Sequence, residues 1–207
     1  MRIGVACEAG APPAELLALL EAAGLPVASL REEVPPALIA ADGAMWFLGS
    51  AGDVLRACDR GALDAGVVGS DRLLEGRLGV ADLLDLRRCR DELVLAVAPA
   101  AVRPDRRLRV ATRHPETARR HFAATGAQPE IVIADEPLLA PPLGLADGVI
   151  ELATRVAEGR PGAPPLETRE VVAACSAHLV ASRAARVLRR AGFAVLVDRL
   201  RNALEDA

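Results

Sequence analysis

The sequence predicts an α/β fold of mostly parallel sheets with flanking helices, built as one domain or as one domain of two lobes. Three observations predict it. Short apolar runs alternate along the chain with stretches of helical pattern. The helical stretches are punctuated by Pro at the start and Gly just past the end, as at Pro115 and Gly126. The 207 residues are 52% apolar and 26% charged, which suits a folded chain with a sizeable core and excludes a disordered one.

Taken in order, Ile3–Cys7 reads as a buried strand. A helix over Glu15–Ala23 follows, with Leu at 16, 17, 19 and 20, opened by Pro12-Pro13 and closed by Gly24. Ala44–Leu48 is a second strand, and Asp53–Arg60 a helix stopped by Gly61. Ala65–Gly69 is a short strand and Leu73–Glu75 a helical turn. Leu93–Ala98 and Leu108–Thr112 are strands either side of the polar turn Arg103-Pro104-Asp105. Pro115–Thr125 is a helix, Glu130–Ala134 and Val149–Leu152 are strands, and the Gly/Pro-rich Glu158–Glu167 is an exposed loop. Val171–Ala174 and His178–Ala181 read as a strand or strand pair, Ala184–Arg190 as a helix ended by Gly192, Ala194–Val197 as a last strand and Arg199–Leu204 as a last helix. Sheets of this kind place ligands at the carboxyl ends of their strands.

Composition closes several chemistries. All 25 residues in the Lys+Arg count are Arg. Without Lys there is no Schiff base for pyridoxal phosphate or an aldolase, and no P-loop cation. Trp46, Phe47, Phe122 and Phe193 are the only large aromatics, too few for a base-stacking surface. The net charge of −3 argues against nucleic acid or a membrane surface as partner. Charge is nevertheless uneven. Residues 103–120 carry seven Arg against Asp105 and Glu116, and residues 183–201 carry six Arg against Asp198. Such faces suit a small phosphorylated ligand or are simply solvated. Cys7, Cys58, Cys89 and Cys175 are too far apart in sequence for a zinc pattern, and no metal-ligand set stands out. The strand-like start carries no signal-peptide pattern, and no apolar run reaches the about 18–20 residues of a membrane span. Free thiols without an export signal predict a cytoplasmic protein.

Three stretches in register resemble a known family. They are Gly61-Ala-Leu-Asp64-Ala-Gly66-Val-Val-Gly69-Ser-Asp71; Asp85-Leu86 with Cys89-Arg90; and Val110-Ala-Thr112-Arg-His-Pro115 with Ala118-Arg119-Arg120-His-Phe122, followed by Ala140-Pro141-Pro-Leu-Gly144-Leu-Ala-Asp147. Together they resemble the catalytic core of ATP phosphoribosyltransferase, the first enzyme of histidine biosynthesis. The resemblance runs over roughly residues 1–185. It implies a two-lobed fold of periplasmic-binding-protein type II, with residues 1–90 and 172–207 in lobe I, 91–171 in lobe II, and the ligand between them. It further implies a short form without the regulatory domain, an oligomer working with a histidyl-tRNA-synthetase-like subunit, and joining of ATP to phosphoribosyl pyrophosphate with Mg²⁺. That chemistry needs two polyanions held in line and their charge neutralised.

The resemblance also locates candidate site residues, several of which depart from the family pattern. Where the family carries Lys-Gly-Arg after the first strand, this chain reads Cys7-Glu8-Ala9-Gly10-Ala11, keeping only Gly10. Ser50 stands where an Arg precedes Asp-Val-Pro, here Asp53-Val54-Leu55. Asp135-Glu136-Pro137-Leu138 replaces Gly-Ser-x-Glu. The Thr-Gly-x-Thr phosphate loop corresponds to Glu151-Leu-Ala-Thr154-Arg155-Val156-Ala157-Glu158-Gly159-Arg160, with a longer connection to the next strand. Candidate phosphoribosyl contacts are therefore Glu151, Thr154, Arg155, Glu158, Gly159 and Arg160, and candidate nucleotide contacts Gly10, Ser50, Gly69, Asp71 and Arg90. Asp71 suits a ribose hydroxyl, a metal or a helix cap, Arg90 a hinge ion pair or a ligand contact, and His114 a cap, a surface residue or a cleft residue. No side chain is singled out as catalytic. The lost cations keep a second reading open, in which a diverged homologue, non-catalytic or acting on a different substrate, binds a small phosphorylated ligand in the cleft between the lobes.

Overall fold

The computed structural model describes residues 1–7, 11–31, 35–41, 43–76, 79–99 and 106–206. The chain divides into two compact units. Unit 1 holds Met1–Leu73, Arg77–Arg90 and Ser176–Ala207; unit 2 holds Leu74–Gly76 and Asp91–Cys175.

In unit 1 the alternation Ile3, Val5, Cys7 puts one apolar edge of β1 (Arg2–Ala6) into a core. Strand β1 is the centre of a parallel triplet with β3 (Ala44–Gly49) and β4 (Ala65–Gly69). The sheet extends to β2 (Ala37–Ala41), β11 (Ala177–Ser182) and β5 (Val80–Asp85), in the order β2-β3-β1-β4-β11-β5. Helices α1 (Ala14–Ala22) and α7 (Arg190–Glu205) cover the face carrying Ile3, Val5, Trp46 and Val67. The buried leucines of α1 at 16, 17, 19 and 20 form its inner stripe, each contributing about 1.5–3 kcal/mol of burial. On the other face, α2 (Ala51–Asp59) buries Val54, Leu55 and Cys58 against Val68 and Val180. Gly4 and Gly66 pair across β1 and β4, and a Cβ on either would come within 2.8 Å and 2.7 Å of Val54, respectively. The missing side chains are what let α2 lie against the sheet.

In unit 2 the parallel triplet is β8 (Glu130–Ile133), β7 (Arg109–Thr112) and β9 (Gly148–Leu152), with β6 (Asp91–Val97) and β10 (Glu167–Cys175) added antiparallel, in the order β10-β6-β9-β7-β8. Leu93, Leu95, Val97, Val110 and Ile150 meet Ala118 and Phe122 of α4 (Pro115–Thr125) on one face. Ala96, Ala111 and Val149 meet Leu138 and Ala140 on the other. Helix α4 has Pro115 in its first turn and Gly126 at φ 76 as its left-handed cap, as the sequence predicts. Asp147 ties the loop before β9 to the start of β7. Its carboxylate accepts from the Arg109 backbone N–H at 2.9 Å, from the Arg109 guanidinium at 3.1 Å and from Arg106. Burial pushes this carboxyl up, but the Arg109 and Arg106 contacts outweigh that and hold it below the usual carboxylate range.

Some sequence expectations are corrected. The sheets are parallel only within their two triplets; β2, β5, β6, β10 and β11 pair antiparallel. Residues 172–175, expected in lobe I, continue β10 and pair with β6 as far as Cys175 opposite Asp91. Ala194–Val197 is not a strand but lies inside α7, and Gly192, expected to end a helix, lies within it too. Phe193, Leu196, Leu200 and Ala203 recur at helical spacing and bury in the unit 1 core, which a short apolar run read alone does not reveal. The turn at 103–105 and Gly10 fall outside the described residues.

Candidate functional site

Several of the described candidate residues lie at the carboxyl edges of the two parallel triplets, each within its own unit. In unit 1, Ala6 lies opposite Gly49, and the Cys7 backbone N–H donates to the Gly49 carbonyl at 2.9 Å. That brings Cys7 after β1, Ser50 after β3 and Gly69 at the end of β4 to one edge. Ser50 acts as the α2 cap. Its Oγ accepts from the Asp53 backbone N–H at 3.1 Å and donates to the Asp53 carboxylate at 2.7 Å. That bond, helped by Arg56, lowers the Asp53 carboxyl. Asp71 sits in the short helix α3 (Ser70–Leu73). A Cβ on Gly69 would lie 2.2 Å from Asp71 Oδ1, so the bare Gly69 leaves room for that carboxylate. Arg90 is exposed, immediately before β6.

In unit 2 the register Thr112 opposite Ile150 and Ile133 brings the residues after β7, β8 and β9 together. Glu151 is fully buried, which for a carboxylate demands partners. Its Oε2 accepts from Arg113 Nε at 3.1 Å and lies 3.8 Å from Arg155 Nε; its Oε1 accepts from the Leu152 backbone N–H at 2.9 Å. Arg155 sits on α5 (Ala153–Glu158), which starts directly after β9. Its Nη2 donates to Glu136 Oε2 at 3.1 Å, and Arg160 Nη2 donates to the same oxygen at 3.1 Å. The result is a continuous ionic chain, Arg113, Glu151, Arg155, Glu136, Arg160, that runs from a fully buried carboxylate to the partly exposed Arg160. Thr154, also on α5, is bound through its hydroxyl to Asp91. Glu158 and Gly159 do not join the chain: Glu158 is exposed at the end of α5, and Gly159 is its left-handed terminus at φ 65.

Sequence reasoning named Glu151, Arg155 and Arg160 but not Arg113, Glu136 or Asp91 as members of the site. Arg113 directly follows β7, Asp91 opens β6 and Glu136 lies past the end of β8, positions that only sheet register brings together. A further group was also missed. Glu75, in a short segment that belongs to unit 2, caps α4 from 41 residues away: its carboxylate accepts from the Glu116 and Thr117 backbone N–H groups at 3.1 and 2.9 Å and from the Thr117 hydroxyl at 2.7 Å. Burial raises the Glu75 carboxyl, but these bonds outweigh it and hold the group low. His114, at the α4 cap position, is fully buried and not on an open surface. A cavity of about 320 Å³ lined by Arg107, Arg119, Phe122 and Gln128 lies at the amino ends of β7 and β8, away from these groups. Among the described residues, no group of three His, Cys, Asp or Glu is placed to hold a metal ion, and no helix is long and apolar enough to cross a membrane.

Comparison with known proteins is consistent along the chain. The family model described as ATP phosphoribosyltransferase matches residues 50–202. An ATP phosphoribosyltransferase of Pseudomonas paraeruginosa is 37% identical over 155 residues, covering 74% of this chain and 72% of its own length. That of Pseudomonas aeruginosa is 34% identical over 198 residues, covering 92% of each. Among solved structures, the ATP phosphoribosyl transferase (HisG:HisZ) complex of Thermotoga maritima aligns over 100% of both chains with TM-score 0.76 and 19% identity. The VFT2 domain of Bordetella pertussis BvgS aligns over 99% of this chain and 86% of its own, with TM-score 0.63 and 17% identity. An extracellular-binding protein of a Bacillus subtilis amino-acid transporter aligns over 100% and 90%, with TM-score 0.59 and 13% identity. These structures share the periplasmic-binding-protein-like α/β fold, and the sequence matches carry the assignment further: the chain belongs to the ATP phosphoribosyltransferase family.

Proposed function

We propose that the chain is the short-form catalytic subunit of an ATP phosphoribosyltransferase. It joins N1 of ATP to the anomeric carbon of phosphoribosyl pyrophosphate and releases pyrophosphate. Family membership over residues 50–202 carries this reading. The unit 2 edge supplies its chemistry. Arg155 and Arg160 would hold phosphate oxygens by charge-assisted hydrogen bonds, and the buried pair of Glu151 and Arg113 would fix the position of Arg155. Ser50, Gly69 and Asp71 line the corresponding edge of unit 1, where a nucleotide would lie. The reaction asks for alignment and charge neutralisation, and fixed guanidinium groups provide both with little reorganisation.

Mg²⁺ fits this reading as an ion carried on the pyrophosphate of the substrate, since it keeps most of its ligands as water and phosphate oxygens. A histidyl-tRNA-synthetase-like partner and a cytoplasmic location belong to the same proposal. The partner is motivated by the HisG:HisZ complex that shares the fold.

The test is direct. The protein is mixed with ATP, phosphoribosyl pyrophosphate and Mg²⁺, alone and with a candidate regulatory subunit, and phosphoribosyl-ATP is followed by absorbance. Turnover in either mixture supports the proposal, and its absence in both refutes it. Arg155→Ala and Arg160→Ala should each weaken phosphoribosyl pyrophosphate binding by about 1.5–3 kcal/mol. Unchanged dissociation constants in both would place the phosphate elsewhere.

A further inference from the structure

The two arginines proposed to receive phosphate already share an anion. Glu136 Oε2 accepts from Arg155 Nη2 and Arg160 Nη2, each at 3.1 Å. One oxygen bridging two guanidinium groups is an arrangement in which a phosphate oxygen also binds well. Exposure separates the three side chains. Arg155 keeps 17% of its surface and Arg160 35%, whereas Glu136 keeps 49%. Arg155 is also held from behind by Glu151, at 3.8 Å. Glu136 sits between β8 and a single 3-10 turn at Pro137–Leu139, outside any long element. Arg155 is therefore the anchored part of the contact, and the carboxylate is the part able to leave into water.

We propose that Glu136 is a built-in competitor for the anion, a specificity-determining residue whose carboxylate must be displaced before a phosphate group can occupy Arg155 and Arg160. This rests on the reading that those two arginines meet phosphate. The competitor raises the threshold for binding. A ligand with one negative charge gains little by replacing one carboxylate with another. A pyrophosphate group carries more charge and more acceptor oxygens, and it displaces Glu136 with a net gain. The site thereby selects polyanions over small carboxylates.

The test uses inorganic pyrophosphate and acetate as probes, titrated by calorimetry at fixed ionic strength into the wild type, Glu136→Gln, Asp135→Asn and Glu136→Gln/Arg160→Ala. Asp135→Asn removes the same charge one residue away, on an exposed side chain. Two partly exposed ion pairs released together correspond to roughly a tenfold gain. The expected result is therefore about tenfold tighter pyrophosphate binding in Glu136→Gln, less than about twofold in Asp135→Asn, and loss of the gain in the double variant. Acetate should bind measurably only where Glu136 is absent. Equal pyrophosphate affinity in wild type and Glu136→Gln overturns the competitor while leaving the phosphate site standing. An equal gain in Asp135→Asn also overturns it, since the effect would then be the general field. No pyrophosphate binding to any variant overturns the phosphate site and the competitor with it.

Discussion

Arg113→Ala should destabilise unit 2 far more than Arg160→Ala, although both delete a guanidinium from the same ionic chain. Arg113 meets Glu151 through Nε and Nη2, both at 3.1 Å, and the two side chains keep 13% and 0% of their surface. Removing Arg113 leaves the Glu151 carboxylate with the Leu152 N–H at 2.9 Å and Arg155 Nε at 3.8 Å. Breaking a buried pair costs about 3–5 kcal/mol, and the remaining Arg155 keeps the expectation at the lower end, about 3 kcal/mol. Arg160 and Glu136 keep 35% and 49% of their side-chain surface, so their pair is worth about 0–1 kcal/mol. Urea unfolding followed by far-UV circular dichroism reads both, because the single Trp46 lies in unit 1 and its fluorescence reports the other half of the chain. With a slope of about 2 kcal/mol per molar, the Arg113→Ala midpoint should fall by about 1.5 M and the Arg160→Ala midpoint by less than about 0.5 M. Adding Glu151→Gln to Arg113→Ala removes the stranded charge and should recover about half of the loss. A loss below about 1 kcal/mol in Arg113→Ala, or no recovery in the double variant, would show that Glu151 is not the buried anchor of the chain.

The acid limb of stability should carry the signature of Glu75. Its carboxyl is held low, so its contribution is complete above the ordinary Glu value of about 4.3 and is lost as pH falls through the lower folded value. Glu75→Gln should flatten that limb, and Glu75→Ala should cost about 0.5–2 kcal/mol at neutral pH as a lost helix cap, both read by circular dichroism. Gly148→Ala would set a Cβ 2.6 Å from the Ala96 carbonyl oxygen across the β6–β9 ladder. Backbone cannot yield there as a side chain can, and a loss of about 1–3 kcal/mol should appear as a lowered Tm. Burial, then the negative field of Asp64, pushes the Cys58 thiol up to about 12; burial, then Glu15, pushes Cys89 up to about 11. Both should therefore react with iodoacetamide at neutral pH far more slowly in the native protein than in urea, by peptide mass mapping. Rapid native labelling of either would contradict those environments.

Much of the fold was legible because it is written locally. Helix α4 carries its own start at Pro115 and its own stop at Gly126, and the leucines of α1 mark its buried stripe without reference to any other segment. Strand β2 and the inner part of α7 were not legible for the opposite reason. Ala37–Ala41 has weak strand character and is held by its ladder to β3, and the apolar run from Ala194 satisfies either period until the core chooses. In the candidate site, Arg155 and Arg160 could be named from the sequence because they fall in the stretch that the family resemblance aligns with a phosphate loop. Glu136 and Arg113 could not, because they follow other strands and reach Arg155 and Glu151, respectively, only through sheet register.

The sequence by itself determined the α/β class, most of the helices and strands, and family membership, since these rest on residue order and short-range pattern. Only the tertiary structure decided which groups the arginines of unit 2 pair with. Register in β7, β8 and β9 brings Arg113, Glu136, Glu151 and Arg155 to one edge, where burial forces Glu151 to be paired and exposure leaves the Glu136 contact weak. Ion pairing depends on distance and solvent access, and neither is a property of position along the chain.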